Sequence, residues 1–144
     1  MSSLSLNQAE QILNAALSRA RQLDTQPVAV MVLDAGGHPV AMRREDGASF
    51  YRTDIAKAKA HGAIGMGMDT RTIADKAQKN PIFFGSLSQV DGVNLALSAG
   101  GVLIRTTEGE IIGSVGVSGD TPDNDEAVAL AGIEAAQLSH GVNS

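Results

Sequence analysis

The sequence predicts an α+β domain, an antiparallel sheet of about five strands with helices on both faces. Three observations lead there. Residues 28–33 form an unbroken apolar run, as in a strand covered on both sides. Residues 109–119 alternate as a second strand, with Ile111, Gly113, Val115 and Val117 on one face and Ile112, Ser114, Gly116 and Ser118 on the other. Helical periodicities and turn signals around these strands give the order α-β-β-α-(α)-β-β-β-α.

Ser5-x-x-Gln8 has the spacing of a capping box. The helix behind it places Leu6, Ala9, Leu13, Ala16, Leu17, Ala20 and Leu23 on one stripe. Pro27 closes the connection to the first strand. Residues 34–39 form a turn, and the chain returns from Val40 to Arg43 or Arg44 to complete a hairpin. The turn 45–48 leads into a helix from about Phe50 to Met66, carrying Ile55, Ala56, Ala60, Ala63 and Ile64. Its glycines, Gly62, Gly65 and Gly67, weaken it toward the end. A short helix is expected over 70–79, with Thr72-x-x-Asp75 as its box, and Asn80-Pro81 breaks it. Residues 82–94 read as loop and 95–97 as a short strand. A turn at 99–101, a strand over 102–105 and a hairpin turn at Glu108-Gly109 follow.

The last helix is expected from Thr121 to about His140, with Pro122 at its first position and Asp123 and Glu126 as a capping box. Ala127, Ala129, Ala131, Gly132, Ala135 and Ala136 make it narrow enough to lie against the glycine-bearing strand that precedes it. The spacing Gly113-x-x-Gly116-x-x-Gly119 is not the dinucleotide fingerprint, which needs G-x-G-x-x-G between strand and helix.

A length of 144 residues suits one domain. A chain without cysteine has no disulfide, thiolate nucleophile or cysteine-bound zinc. Three Phe, one Tyr and no Trp leave no base-stacking platform, and a net charge of −5 disfavours a nucleic-acid backbone. No stretch approaches the roughly 20 apolar residues of a membrane helix. Residues 1–8 show neither a basic start nor an apolar run, so the expected location is cytoplasmic, without a signal peptide.

Lys59 is the first candidate for chemistry. On a largely apolar helix it is either a snorkelling surface residue or an ammonium that holds an anion. Arg44 and Asp46 flank a turn. Asp46 serves that turn or accepts a hydroxyl, while Arg44 can grip a carboxylate in a bidentate fork. Ser118 and Gly119, at the junction of strand and helix, offer backbone amides to the same ligand. Asp120, Asp123, Asp125 and Glu126 crowd four acids into seven residues. Capping and dipole compensation account for Asp123 and Glu126, and Asp123 with Asp125 form a candidate site for a hard divalent cation. His38, His61 and His140 share no ligand spacing, and neither a Ser-His-Asp order nor a G-x-S-x-G elbow is present.

Together, Leu33-Asp34-x-Gly36-Gly37, Arg44-x-Asp46-Gly47-Ala48, Asp54-Ile55-Ala56 leading to Lys59-Ala60, Gly100-Gly101-Val102, and Ile112-Gly113-Ser114-Val115-Gly116-Val117-Ser118-Gly119 with Asp125-Glu126 resemble the GlcG/HbpS family. The same unit forms the carboxy-terminal domain of PduO-type proteins, and the resemblance runs from about Leu4 to Ala136. It implies a profilin-like antiparallel sheet, assembly into a homo-oligomer, and haem, iron, corrinoid or small-metabolite ligands. A haem site wants an axial ligand, and the first helix contains no histidine. Two functions follow. One is a small-molecule binding protein holding an anionic metabolite or tetrapyrrole between sheet and central helix, through Arg44, Asp46, Lys59, Ser118 and Gly119. The other is a small enzyme on a hydroxy- or oxo-acid, with Lys59 or Asp46 as acid–base group.

Overall fold

The computed structural model describes residues 2–141. The box at Ser5 forms as expected: Gln8 N donates to Ser5 Oγ at 3.0 Å and Ser5 N donates to Gln8 Oε1 at 3.0 Å. It opens α1 (Leu6–Gln22), which buries Ala9, Ile12, Leu13, Ala16 and Ala20. The buried stripe is rotated from the expected one, taking in Ile12 and leaving Leu6 exposed. The hairpin β1 (Ala29–Asp34) and β2 (Pro39–Arg44) is also as read. Its turn is held by Asp34 Oδ1, which accepts from Gly36 N and His38 N, both at 3.0 Å.

Next come α2 (Tyr51–Met66), α3 (Thr70–Lys79), α4 (Pro81–Ser86), a 3₁₀ turn (Leu87–Gln89), β3 (Gly101–Arg105), β4 (Ile111–Ser118) and α5 (Pro122–Ala135). The four strands form one antiparallel sheet in the order β2-β1-β4-β3. Val30 and Val32 of β1 join Val115 and Val117 under α1 and α5, while Ala29, Met31 and Leu33 face Ala56 and Ala60 of α2. Helices therefore cover both faces of an α+β sheet.

Five expectations are corrected. The short strand at 95–97 does not form, so the sheet has four strands rather than five. Leu95 packs against Gly62 of α2, and the outer edge of β3 has no amide to spare. Gly101 N donates to Thr70 Oγ1, Leu103 N to Asp69 Oδ1 and Arg105 N to Ser139 O, each at 2.8 Å. Part of 82–94 is helical, because Pro81 occupies the first turn of α4 and so begins a helix as well as ending one. The helix that closes on the glycine face of that strand is α2, whereas α5 packs on the opposite face, over Val115 and Val117. A Cβ on Gly116 would overlap the Ala56 carbonyl, and Ser114 Oγ donates to Ala60 O at 2.7 Å. Gly132 brings α5 against Ile12 of α1 instead. α5 also ends at Ala135 and is capped by Thr121, whose Oγ1 accepts from Asn124 N at 3.2 Å. Asp69, not Thr72, stands at the start of α3.

Candidate functional site

Ala56, Lys59, Ala60 and Ala63 recur on the face of α2 that meets the sheet, so helical geometry carries the Lys59 ammonium inward. Its Nζ donates to Val117 O at 2.9 Å and to Asp125 Oδ2 at 3.1 Å, and the two side chains are 3% and 2% exposed. Asp125 Oδ1 accepts from Asp120 N at 2.9 Å. One ion pair thus joins α2, the end of β4 and the first turn of α5. Burial pushes the Lys59 ammonium below its ordinary range, with Asp125 opposing the shift. Burial likewise raises the Asp125 carboxyl, against the pull of Lys59. The space expected to open between the sheet and this helix is filled by backbone where α2 meets Gly116 and Gly101.

The other predicted residues separate into two places. Ser118 and Gly119 lie beside the ion pair, Gly119 tied to the Asp125 carboxylate. Arg44 and Asp46 are exposed and line an open groove of about 420 Å³ at the end of the sheet, with Arg21, Pro27 and Glu45. Arg21 is occupied there: its Nε donates to Glu45 Oε2 at 3.0 Å. Lys59 and Asp46, the two acid–base candidates, do not share a site.

Arg52 is a candidate site residue that the sequence analysis does not single out. Its Nη1 donates to Ser118 Oγ at 3.2 Å. Ala29 pairs with Ser118 on one side and Arg44 on the other, so these three stand in one row across the face that α2 covers. Arg52 thus reaches the Ser118 end of the row and Arg44 forms the other end, Ser118 and Arg44 being two strand spacings, about 10 Å, apart. Among the described residues neither arginine is in a salt bridge. Met42, two residues before Arg44 and on the same face, is 39% exposed. The signal for Arg52 was available: it lies seven residues before Lys59, on the same helical stripe.

The acidic cluster is divided between two cations. Asp125 belongs to Lys59, whereas Arg71 of α3 reaches Asp123 at 2.5 Å and Glu126 at 3.0 Å. Among the described residues no group of three or more His, Asp or Glu is placed to hold a metal ion. Asp120 stabilises the junction by accepting from Gln26 N at 2.9 Å and from Asn124 Nδ2 at 2.7 Å. These bonds hold its carboxyl below the ordinary 3.8. As pH falls the unfolded chain takes up this proton first, so the contribution is complete above about pH 4 and is lost as pH drops through the folded value. Stability of Asp120→Asn is accordingly expected to fall less steeply than wild type in urea titrations from about pH 4 to pH 2. Equal slopes would contradict this role.

A four-stranded antiparallel sheet between α1/α5 and α2, pinned by a buried lysine–aspartate pair, defines a class of small α+β proteins. The chain belongs to the HbpS-like family, described as haem degrading protein HbpS-like, which matches residues 4–134. It is 31% identical over 132 residues, 92% of the chain, to the corrinoid adenosyltransferase PduO of Salmonella typhimurium, of which it spans 38%. The chain thus covers less than two-fifths of the length of that relative. It is 28% identical to an uncharacterised 15.0 kDa protein from the dhaT-dhaS intergenic region of Citrobacter freundii, over 93% of the chain and 92% of that protein. The crystal structure of the PduOC:haem complex superposes with a TM-score of 0.85 at 29% identity, covering 96% of this chain and 98% of that one. The crystal structure of HbpS gives 0.80 at 27% identity, covering 93% and 90%. No helix among the described residues is long and apolar enough to cross a membrane.

Proposed function

We propose that this protein binds an anionic small molecule of the haem carboxylate type, read by Arg44 and Arg52 across the row that contains Ser118. The observation that carries the reading is a pair of arginines, at the two ends of one sheet row, that form no salt bridge among the described residues. A protein of net charge −5 repels anions over most of its surface, so an anion needs such a local positive site. Exposed Met42 beside Arg44 gives a flat ligand an apolar surface, while Phe50 and Tyr51, also exposed, follow just after the adjacent turn. Two cations beside apolar surface fit a planar molecule with two carboxylates, and a related chain has been solved with haem. When bound, haem would supply its own iron chemistry. The chain's part is to hold the carboxylates. Lys59 serves as a positioning residue, fixing the end of β4 on which Ser118 stands.

Calorimetric titration with haem tests the reading. Arg52→Gln and Arg44→Gln are each expected to weaken binding about tenfold or more at low salt, in keeping with about 1.5–3 kcal/mol for a charge-assisted contact. The difference shrinks as ionic strength rises. Wild-type affinity in both variants would refute the assignment.

A further inference from the structure

The two edges of the sheet differ. On β3 the outward amides are taken: Gly101 N by Thr70 Oγ1, Leu103 N by Asp69 Oδ1 and Arg105 N by Ser139 O. On β2, among the described residues, no side chain bonds to the backbone of the strand. Glu45 N donates to Val28 O at 3.0 Å, so the Glu45 amide points toward the neighbouring strand. Alternation along β2 then turns the N–H and C=O groups of Arg44 and Met42 outward, away from the sheet.

Proteins blunt such an edge with lysine, proline or a bulge. Pro39 and the register shift between Val32 and Leu33 interrupt only the start of β2. From Ala41 to Arg44 the pairing with β1 is regular, and the strand contains no lysine. Met42, in the middle of the open stretch, is an exposed apolar side chain. Of the two arginines that follow it, Arg43 is already paired with Glu10 at 2.6 Å.

We infer that β2 pairs antiparallel with β2 of a second copy, Met42 opposite the partner's Met42, so that the two sheets join edge to edge. A strand antiparallel to itself closes about a two-fold axis, and the outward groups of Met42 then meet the same groups of the partner. This register sets Arg43 opposite the partner's Ala41 and Arg44 toward the partner's Val40, so no like charges oppose each other. Centring the pair on Arg44 instead would set two guanidinium groups face to face. The match of β2 to itself is what favours a second copy over a foreign strand. The pairing also brings the partner's Met42 onto the face that holds Arg44. That consequence rests on the anion-binding reading, whereas the pairing itself does not.

Light scattering on the haem-free protein at micromolar concentration tests this. Wild type should show twice the 14.8 kDa of one chain. Met42→Lys and Met42→Glu each place like charges across the axis and should be monomeric, with circular dichroism spectra like that of wild type. An equal mixture of the two should regain the mass of a dimer. Met42→Pro removes only an outward donor, which an edge strand tolerates, and should also give a folded monomer. A wild type that stays at the mass of one chain would overturn the pairing and leave the edge to a strand of another protein. Dimers that persist in Met42→Lys and Met42→Pro would place the contact elsewhere and overturn it too. So would a mixture of the charged variants that fails to associate. Because haem is absent throughout, each of these failures leaves the arginine row to its own test.

Discussion

Lys59→Met is expected to lower the folding free energy by about 3–5 kcal/mol, the cost of leaving a buried charge without its partner. The methionine keeps most of the stem. What remains is Asp125 at 2% exposure, held among the described residues by the backbone amides of Asp120 and Gly119. Val117 O would lose its side-chain donor as well. The double variant Lys59→Met/Asp125→Asn removes both charges and keeps an oxygen for the Asp120 amide, so it should recover much of the loss. Urea denaturation of the two single variants and the double variant measures the coupling directly. A cost below about 1 kcal/mol for Lys59→Met would mean that water reaches the pair and that it does not pin the three elements.

A comparable loss is expected from Gly116→Ala, although it adds only one methyl group. The new Cβ would overlap the Ala56 carbonyl and lie 2.8 Å from Ala60 N, both backbone atoms of α2, and neither can rotate away. Overpacking of this kind usually costs about 1–3 kcal/mol, and a clash against rigid backbone belongs at or above the top of that range. The helix would have to lift from β4, stretching the Ser114 Oγ to Ala60 O bond and the Lys59 contacts together. The prediction is therefore about 3 kcal/mol or more by denaturant titration, with the transition still cooperative. Gly65→Ala, in the same helix with open space around it, is the matched control and should be neutral or stabilising.

These two residues also show what the sequence conveys. That a glycine inside a strand marks a close approach was legible at Gly116. Which helix approaches was not, because α2 and α5 are both rich in small residues and only the sheet order separates them. The inward face of α2 could be read from Ala56, Ala60 and Ala63, and Lys59 lies on it. Its partner could not be read, since Asp125 is 66 residues away and pattern within one helix says nothing of what faces it. Asp123 and Glu126 had the spacing of a capping box, yet their carboxylates turn to Arg71 on another helix and Thr121 supplies the cap. Long-range charge pairing won over local capping. The six-residue α4 is too short for periodicity to reveal, and Pro81 signals a helix start as readily as a break. By contrast, both hairpins and the Ser5 cap rest on local turn and capping chemistry, and α2 and α3 stop where Gly67 and Asn80-Pro81 end them, signals that lie in the sequence itself.

Anion readout at the arginine row is tested most directly by comparing haem with its dimethyl ester. The ester keeps the ring and its apolar surface but has lost both negative charges. If Arg44 and Arg52 read the carboxylates, equilibrium titration at low ionic strength should show the ester binding at least tenfold more weakly than haem. The gap should close in the Arg44→Gln/Arg52→Gln double variant. Equal affinity of wild type for the acid and the ester would contradict the proposed function.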